Sequence, residues 1–172
     1  MKKGGIVTVF GSSKVLAESD EYKRAVELGR MLAAENYQVC TGGYRGIMEA
    51  VSKGAKQGKG KTLGITTAQF SGTVNPWIDE EKSFPTWKDR LFGLIEAGDA
   101  YVVFGGGTGT LVELFAVWEM TNKKIMQKNF VVYGQIIRKL IDQLRIFPEI
   151  IYSPFLKFAD SPQAVIQAIQ GK

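Results

Sequence analysis

The chain has 172 residues, of which 45% are hydrophobic and 23% charged, and its formal net charge is +5. This length and composition are typical of one globular domain with a sizeable core, so we predict a single domain over residues 1–172. The basic residues are scattered along the chain instead of forming runs with interleaved aromatic residues. The positive charge therefore favours an anionic small molecule as partner over nucleic acid.

Histidine is absent and cysteine occurs once, at Cys40. The usual zinc sites and Ser-His or Cys-His catalysis are therefore excluded, and we expect neither a metal nor a cofactor. Acid–base chemistry would fall to a carboxylate, unless a lysine or tyrosine with a shifted pKa takes that role. Cys40 lies in an apolar run and is predicted to be buried. Because no apolar stretch is long enough for a signal-peptide core or a membrane-spanning helix, we expect a cytoplasmic protein without a membrane partner.

Short apolar, β-branched segments alternate along the chain with segments of helical periodicity. Strands are predicted at 6–10, 37–41, 61–66, 99–104, 125–133 and 155–158. Helices are predicted at 20–35, 47–55, 86–97, 111–118, 134–144 and 162–169. The segment 68–82 lacks periodicity and is predicted to be a loop that covers a site. This alternation indicates an α/β fold, a Rossmann-like, doubly wound and mostly parallel sheet.

Three of the predicted strands run directly into glycines. In a doubly wound sheet the carboxyl ends of the strands share one edge, and ligands bind there where the strand order reverses. The last glycine group also opens a helix, whose N–H groups and positive dipole end would face a phosphate. We therefore predict a phosphate-binding site made by Gly11, Ser12, Gly42, Gly43, Gly105, Gly106, Gly107, Thr108, Gly109 and Thr110.

The glycine groups match neither of two common nucleotide-binding motifs. Gly105-x-Gly107-x-x-Thr110 lacks the last glycine of the dinucleotide fingerprint. Gly109 is followed by Thr-Leu, whereas a P-loop requires Lys-Ser or Lys-Thr. A mononucleotide with one phosphoryl group is thus a better expectation than NAD or ATP.

Two charged residues near these glycines each allow two interpretations. Glu113 follows Thr110 by three residues, so the pair is either a capping box at the start of a helix or a Thr beside an acid that points into the pocket. Spacing alone favours the capping box. Arg90 lies in a charged cluster that is usually a solvated helix start, and the alternative is a functional role.

The stretch Gly105–Glu113 resembles the P-G-G-x-G-T-x-x-E signature of the LOG ("Lonely Guy") family of cytokinin-riboside 5′-monophosphate phosphoribohydrolases. Val9–Ser13 and Thr41–Met48 resemble that family's first loop and its G-G-G-x-x-G-L-M stretch, and Arg90 matches the arginine upstream of its D-A-F strand. The resemblance implies hydrolysis of the N-glycosidic bond of a nucleoside 5′-monophosphate, such as AMP, to free base and ribose 5-phosphate. It also implies that Arg90 and Glu113 are catalytic and that the protein is a homodimer or a higher homo-oligomer.

The chain departs from the family pattern at three points. Phe104 replaces the proline, Leu91 replaces the lysine after Arg90, and the glycine loop has one additional residue. Divergent relatives of this family include nucleotide-binding proteins of unsettled activity and molybdenum-cofactor carrier proteins that bind without this hydrolysis. The departures favour such a carrier, whereas the retained Arg90 and Glu113 favour the enzyme.

Overall fold

The structure is a computed structural model that describes residues 4–171, and these residues form seven strands and six helices, which alternate except that no helix lies between the third and fourth strands. The strands are β1 Ile6–Phe10, β2 Gln38–Thr41, β3 Thr62–Thr67, β4 Glu80–Phe84, β5 Ala100–Val103, β6 Phe130–Tyr133 and β7 Leu156–Ala159. The helices are α1 Asp20–Ala34, α2 Ile47–Gln57, α3 Trp87–Ala97, α4 Thr108–Asn122, α5 Gln135–Gln143 and α6 Pro162–Gln170, with a 3₁₀ turn at Leu144–Ile146 after α5.

All seven strands belong to one parallel sheet with the order β4-β3-β2-β1-β5-β6-β7. The chain builds outward from β1 to β4 and then returns to place β5 on the other side of β1. The predicted α/β doubly wound fold is therefore confirmed. The strand order reverses between β1 and β5, so the loops after these two strands diverge and leave a crevice at this edge of the sheet.

Each face of the sheet is covered by helices and holds its own core. Successive side chains of β1 alternate between the faces, so Val7 and Val9 pack with α1, α2 and α6, whereas Phe10 packs with α3, α4 and α5. The two cores explain why the central strands are almost continuously apolar. Cys40 is buried on β2, as predicted. Within residues 4–171, no helix is both long and apolar enough to cross a membrane.

The structure corrects three of the predicted elements. Residues 80–82, predicted to be the end of a loop, belong to strand β4, whose sequence is charged because the strand lies at the solvent-exposed edge of the sheet. The strand predicted at 125–133 is limited to β6, since the polar residues before Phe130 do not join the ladder. Helix α4 begins three residues earlier than its apolar periodicity indicates.

Helices α1 and α2 approach each other so closely that their backbones touch at two glycines. A Cβ atom on Gly29 would overlap the carbonyl oxygen of Val51, and a Cβ on Gly54 would overlap that of Val26. Because these neighbours are backbone atoms of packed helices, no rotamer change can make room for a side chain. The two glycines therefore set the distance between α1 and α2.

We expect Gly54→Ala to destabilise the protein by about 1–3 kcal/mol, although alanine is the better helix former, because the added methyl overpacks the α1–α2 contact. Urea unfolding of the variant and the wild type measures this difference. Gly109→Ala in α4 is the matched control, since a Cβ there meets open space among the described residues. An unchanged unfolding free energy for Gly54→Ala would contradict the backbone contact.

Candidate functional site

A cleft of about 930 Å³ opens at the crevice beside β1 and β5. This volume is in the range of small-molecule binding sites. The cleft is lined by Val9, Phe10, Gly11, Ser12, Ser13, Lys14, Gly42, Tyr44, Arg45, Met48, Gln69, Phe70, Ser71, Gly72, Thr73, Arg90, Gly107, Thr108, Gly109, Thr110 and Glu113. The walls thus come from the end of β1, the loops after β1, β2, β3 and β5, and helices α2, α3 and α4.

The structure brings most of the predicted site residues to this cleft, with three exceptions. Gly43, Gly105 and Gly106 are not among the residues that line it. The Gly43 carbonyl accepts hydrogen bonds from the backbone N–H and the side chain of Asn75. The Gly105 carbonyl accepts a hydrogen bond from the Ser12 N–H at 3.1 Å, which joins the loops after β1 and β5. These glycines support the site without lining it.

The start of α4 is open towards the cleft. Its N-cap residue is Gly107, and within the described part of the chain no side chain caps the helix. Helices α2 and α5 likewise start at a glycine without a side-chain cap, whereas serine or threonine side chains cap α1, α3 and α6. A Cβ on Gly107 or Gly109 would meet no heavy atom of residues 4–171 within 4 Å. Packing therefore does not require glycine at either position. Uncapped N–H groups beside open space are suited to a bound phosphate, which glycine allows to approach closely.

The helix start also rules out the capping box. Because α4 begins at Thr108, Thr110 is its third residue and Glu113 its sixth. A capping box needs the threonine at the N-cap position and the glutamate three residues into the helix. The interpretation of Thr110 and Glu113 as a capping box was wrong, and both residues instead line the cleft.

Arg90 is buried rather than solvated, so its interpretation as an exposed helix-start residue was also wrong. Only 5% of the residue is exposed. Its Nε donates to the carbonyl of Ile65 at 2.9 Å, and its Nη2 donates to the carbonyl of Gly42 at 3.4 Å. A Cβ on Gly42 would overlap Nη2, so glycine is needed here for the guanidinium to pass. The side chain is thereby fixed to the carboxyl ends of β2 and β3.

Glu113 faces this guanidinium across the cleft floor. Its Oε1 lies 3.8 Å from Arg90 Nη1, and 14% of its side chain is exposed. Burial raises the pKa of Glu113 to about 7 although the charge of Arg90 acts in the opposite direction. Burial likewise lowers the pKa of Arg90, and the charge of Glu113 opposes that effect. At 3.8 Å the contact is a charge interaction and is too long to be a hydrogen bond.

Sequence reasoning identified the β3–β4 loop, residues 68–79, only as a possible cover for a site. Five of its residues, 69 to 73, line the cleft, and they include Phe70. The available signal was the position of a long polar loop directly after a buried strand at the carboxyl edge of the sheet. Tyr44 also lines the cleft, and its place after Gly42-Gly43 was a comparable signal. Across the described residues, no group of three or more His, Cys, Asp or Glu side chains is placed to hold a metal ion.

The raised pKa of Glu113 predicts a specific dependence of stability on pH. Between its ordinary pKa of 4.5 and about 7, the unfolded chain has released a proton that the folded protein retains, so folding weakens as pH rises. Relative to Glu113→Gln, the wild type should lose on the order of 3 kcal/mol of unfolding free energy over this interval.

Urea unfolding of both proteins from pH 4.5 to pH 8 measures this difference. Glu119→Gln, which removes an exposed carboxylate from the same helix, is the control and should run parallel to the wild type. If the Glu113→Gln curve also ran parallel, the carboxylate would titrate at its ordinary pKa.

The chain is similar in sequence to proteins that are named as nucleotide-processing enzymes. Over 118 residues the chain is 30% identical to the pyrimidine/purine nucleotide 5′-monophosphate nucleosidase of Escherichia coli K12, covering 63% of this chain and 26% of that enzyme. Over 114 residues it is 31% identical to the probable cytokinin riboside 5′-monophosphate phosphoribohydrolase LOGL9 of Oryza sativa subsp. japonica, covering 64% of this chain and 50% of that protein. The chain therefore spans about a quarter and a half of the lengths of these relatives.

A solved structure matches nearly the whole chain. The molybdenum cofactor binding protein from Rippkaea orientalis superimposes with a TM-score of 0.78 and 24% identity, over 99% of this chain and 98% of that one, which shows a shared fold. The resemblance to the LOG family found in the motifs is thus confirmed. A model of the SLOG cluster4 family matches residues 5–149, and the chain belongs to that family.

Proposed function

We propose that the protein hydrolyses the N-glycosidic bond of a nucleoside 5′-monophosphate and releases the free base and ribose 5-phosphate. The observation that carries this proposal is Glu113, a buried carboxylate that lines the same cleft as the uncapped start of its own helix. The names of the Escherichia coli and rice relatives support the reaction and the substrate class. The substrate is thus a nucleoside monophosphate or a similar phosphorylated small molecule.

The spacing along α4 suits this substrate. Thr108 and Gly109 would hold the 5′-phosphate with their backbone N–H groups, and the Thr108 and Thr110 hydroxyls would add donors. Glu113 follows Thr108 by five positions in the helix, a rise of about 7.5 Å. A ribose that extends from the phosphate along the helix would therefore bring C1′ to the carboxyl group.

The chemistry requires a single carboxylate that changes its protonation state. Breaking the bond between C1′ and the base builds positive charge on the ribose, and the Glu113 carboxylate stabilises that charge. Water adds its oxygen to C1′ and gives a proton to Glu113, while the base leaves with the bonding electron pair. The departing base needs one proton, which Glu113 returns, so water is consumed and the carboxylate is restored. A pKa of about 7 suits both transfers.

We expect the wild type to release base from AMP and Glu113→Gln to lower kcat by about 10²–10⁴-fold, because the amide can neither carry the charge nor accept the proton. The wild-type rate should rise with pH through about 7 as the carboxylate forms. Chromatography of the free base measures both effects. Glu119→Gln should behave as wild type, and adenosine, which lacks the phosphate, should react poorly.

A second candidate is a non-catalytic carrier of a nucleotide or of the molybdenum cofactor. It is favoured by the fold shared over nearly the full length with a molybdenum cofactor binding protein. The departures at Phe104 and Leu91 support it less than the sequence indicated, because both side chains are buried in the cores instead of lining the cleft. Saturable nucleotide binding without release of base from any monophosphate would favour the carrier over the hydrolase.

We further propose that the protein is a homodimer that pairs through α3 and α4. Phe92 on α3 and Val112 and Phe115 on α4 are each exposed by about 40%. Their neighbours on α4 pack into the core, so the first turns of the helix are apolar both towards the sheet and towards solvent, whereas the exposed Glu119 further along is charged. Clustered exposed apolar side chains are typical of contacts between proteins. A second copy of this surface would bury the exposed side chains.

We expect Phe115→Glu to convert the dimer to a monomer, because the interface would have to bury an unpaired carboxylate. Analytical ultracentrifugation measures the change in mass. Ile136→Glu is the control, since Ile136 on α5 is 85% exposed and lies outside the proposed surface. A wild type that is monomeric at all concentrations, or a dimer that tolerates Phe115→Glu, would contradict this interface.

A further inference from the structure

Two aromatic side chains lie against Arg90 in the wall of the cleft. The ring centroid of Phe70 is 5.4 Å and that of Tyr44 is 5.6 Å from Arg90 Cζ. The rings are 6.0 Å apart and tilted by 50°. Phe70 is 43% exposed, so a large part of its ring is open to a ligand in the cleft.

The β3–β4 loop that carries Phe70 is fastened at several points. The side chain of Gln69 accepts a hydrogen bond from the N–H of Trp87 at 2.6 Å, and the side chain of Asn75 donates to the carbonyl of Tyr44 at 2.9 Å. Between them, Gly72 lies so close to the Tyr44 ring that a Cβ would stand 2.8 Å from its Cδ1. The loop is therefore held to the sheet edge and to α3 without a ligand.

Tyr44 is fixed from the other side. Its hydroxyl lies 3.4 Å from both the N–H and the carbonyl oxygen of Thr67, where it accepts from the first and donates to the second. Phe70 is anchored to the same residue, because its N–H donates to the Thr67 carbonyl at 3.2 Å. The two rings thus keep a defined position relative to the end of β3.

The functional groups follow one another in an order that matches a nucleotide. Thr108 at the start of α4 lies about 7.5 Å along the helix from Glu113. Glu113 is 3.8 Å from Arg90, and Arg90 contacts the Phe70 ring. An anion site, a carboxylate and an aromatic surface are therefore successive neighbours in a single cleft, like phosphate, ribose and base.

We propose that Phe70, supported by Tyr44, is the platform on which the base of the bound nucleotide stacks. This inference rests on the function proposed above for the identity of the ligand. Aromatic stacking is tolerant of the base, because every base presents a π face. The platform therefore selects for a planar ring and accepts both purine and pyrimidine monophosphates, with the larger purines held more tightly.

The alternative is that Phe70 only holds Arg90 in position. Comparing ligands with and without a base distinguishes this role from base stacking. Binding of AMP, CMP and ribose 5-phosphate is measured by calorimetry in the Glu113→Gln background, which prevents turnover. Phe70→Leu keeps apolar bulk but removes the aromatic face, and Phe70→Trp restores one. Phe147→Ala is the matched control, because Phe147 is 54% exposed and does not belong to the cleft lining.

We expect Phe70→Leu to weaken binding of AMP and CMP by about 5- to 100-fold, to leave ribose 5-phosphate within twofold, and to be rescued by Phe70→Trp. Equal losses for all three ligands, or none, would overturn the platform. A support for Arg90 alone would lower kcat of the otherwise wild-type enzyme without this difference between ligands. If the wild type binds nucleotides in a base-dependent way but does not hydrolyse them, the proposed reaction is wrong and the stacking role of Phe70 stands. If hydrolysis does not change on substitution of Phe70, the reaction stands and the stacking role is wrong.

Discussion

The cleft depends on the burial of one guanidinium group. Arg90 is removed from water at the meeting point of β2, β3 and α4, and a buried cation requires partners on several sides. Two backbone carbonyls, at Gly42 and Ile65, and one carboxylate, at Glu113, meet that requirement. Each of these partners is placed by a different element. The position of the arginine thus ties the loops and helices around the cleft to one another.

The same burial acts on the two charges in opposite directions. It raises the pKa of Glu113 and lowers that of Arg90, while their mutual attraction limits both shifts. Arg90 stays charged because its ordinary pKa is very high. The carboxyl group, in contrast, is brought to the edge of ionisation at neutral pH. A group in this condition exchanges protons at little cost, and that is the property that acid–base catalysis needs.

The sequence was sufficient to predict features that arise from local composition. The apolar runs of β1 and β5 and the glycines that follow them were enough to predict the parallel sheet and the edge where the cleft lies. Strand β4 was missed because an edge strand of charged residues carries no apolar signal. The start of α4 was missed because Thr-Gly-Thr is a poor helix-forming sequence. With the start misplaced, Glu113 looked like a capping residue instead of a buried acid.

The contact between the two aromatic side chains of the cleft could not be predicted, for a different reason. Tyr44 and Phe70 are 26 residues apart in the sequence, and they meet because β2 and β3 are adjacent and their loops leave the same edge. Neither residue belongs to a periodic pattern. Pairing of strands, which is a property of the whole sheet, had to be known first. The same limit applies to Arg90, whose burial depends on how close α3 lies to β2 and β3.

The uncapped start of α4 has a consequence for the energetics of ligand binding. Gly109 weakens the first turn of this helix, Gly107 at the N-cap position has no side chain that could cap it, and no side chain of the described residues takes that place. A phosphate bound at that turn would accept hydrogen bonds from the free N–H groups of the helix and so replace the missing cap. Ligand binding and the stability of α4 are then thermodynamically coupled. Occupancy of the cleft would stabilise the helix that carries Glu113.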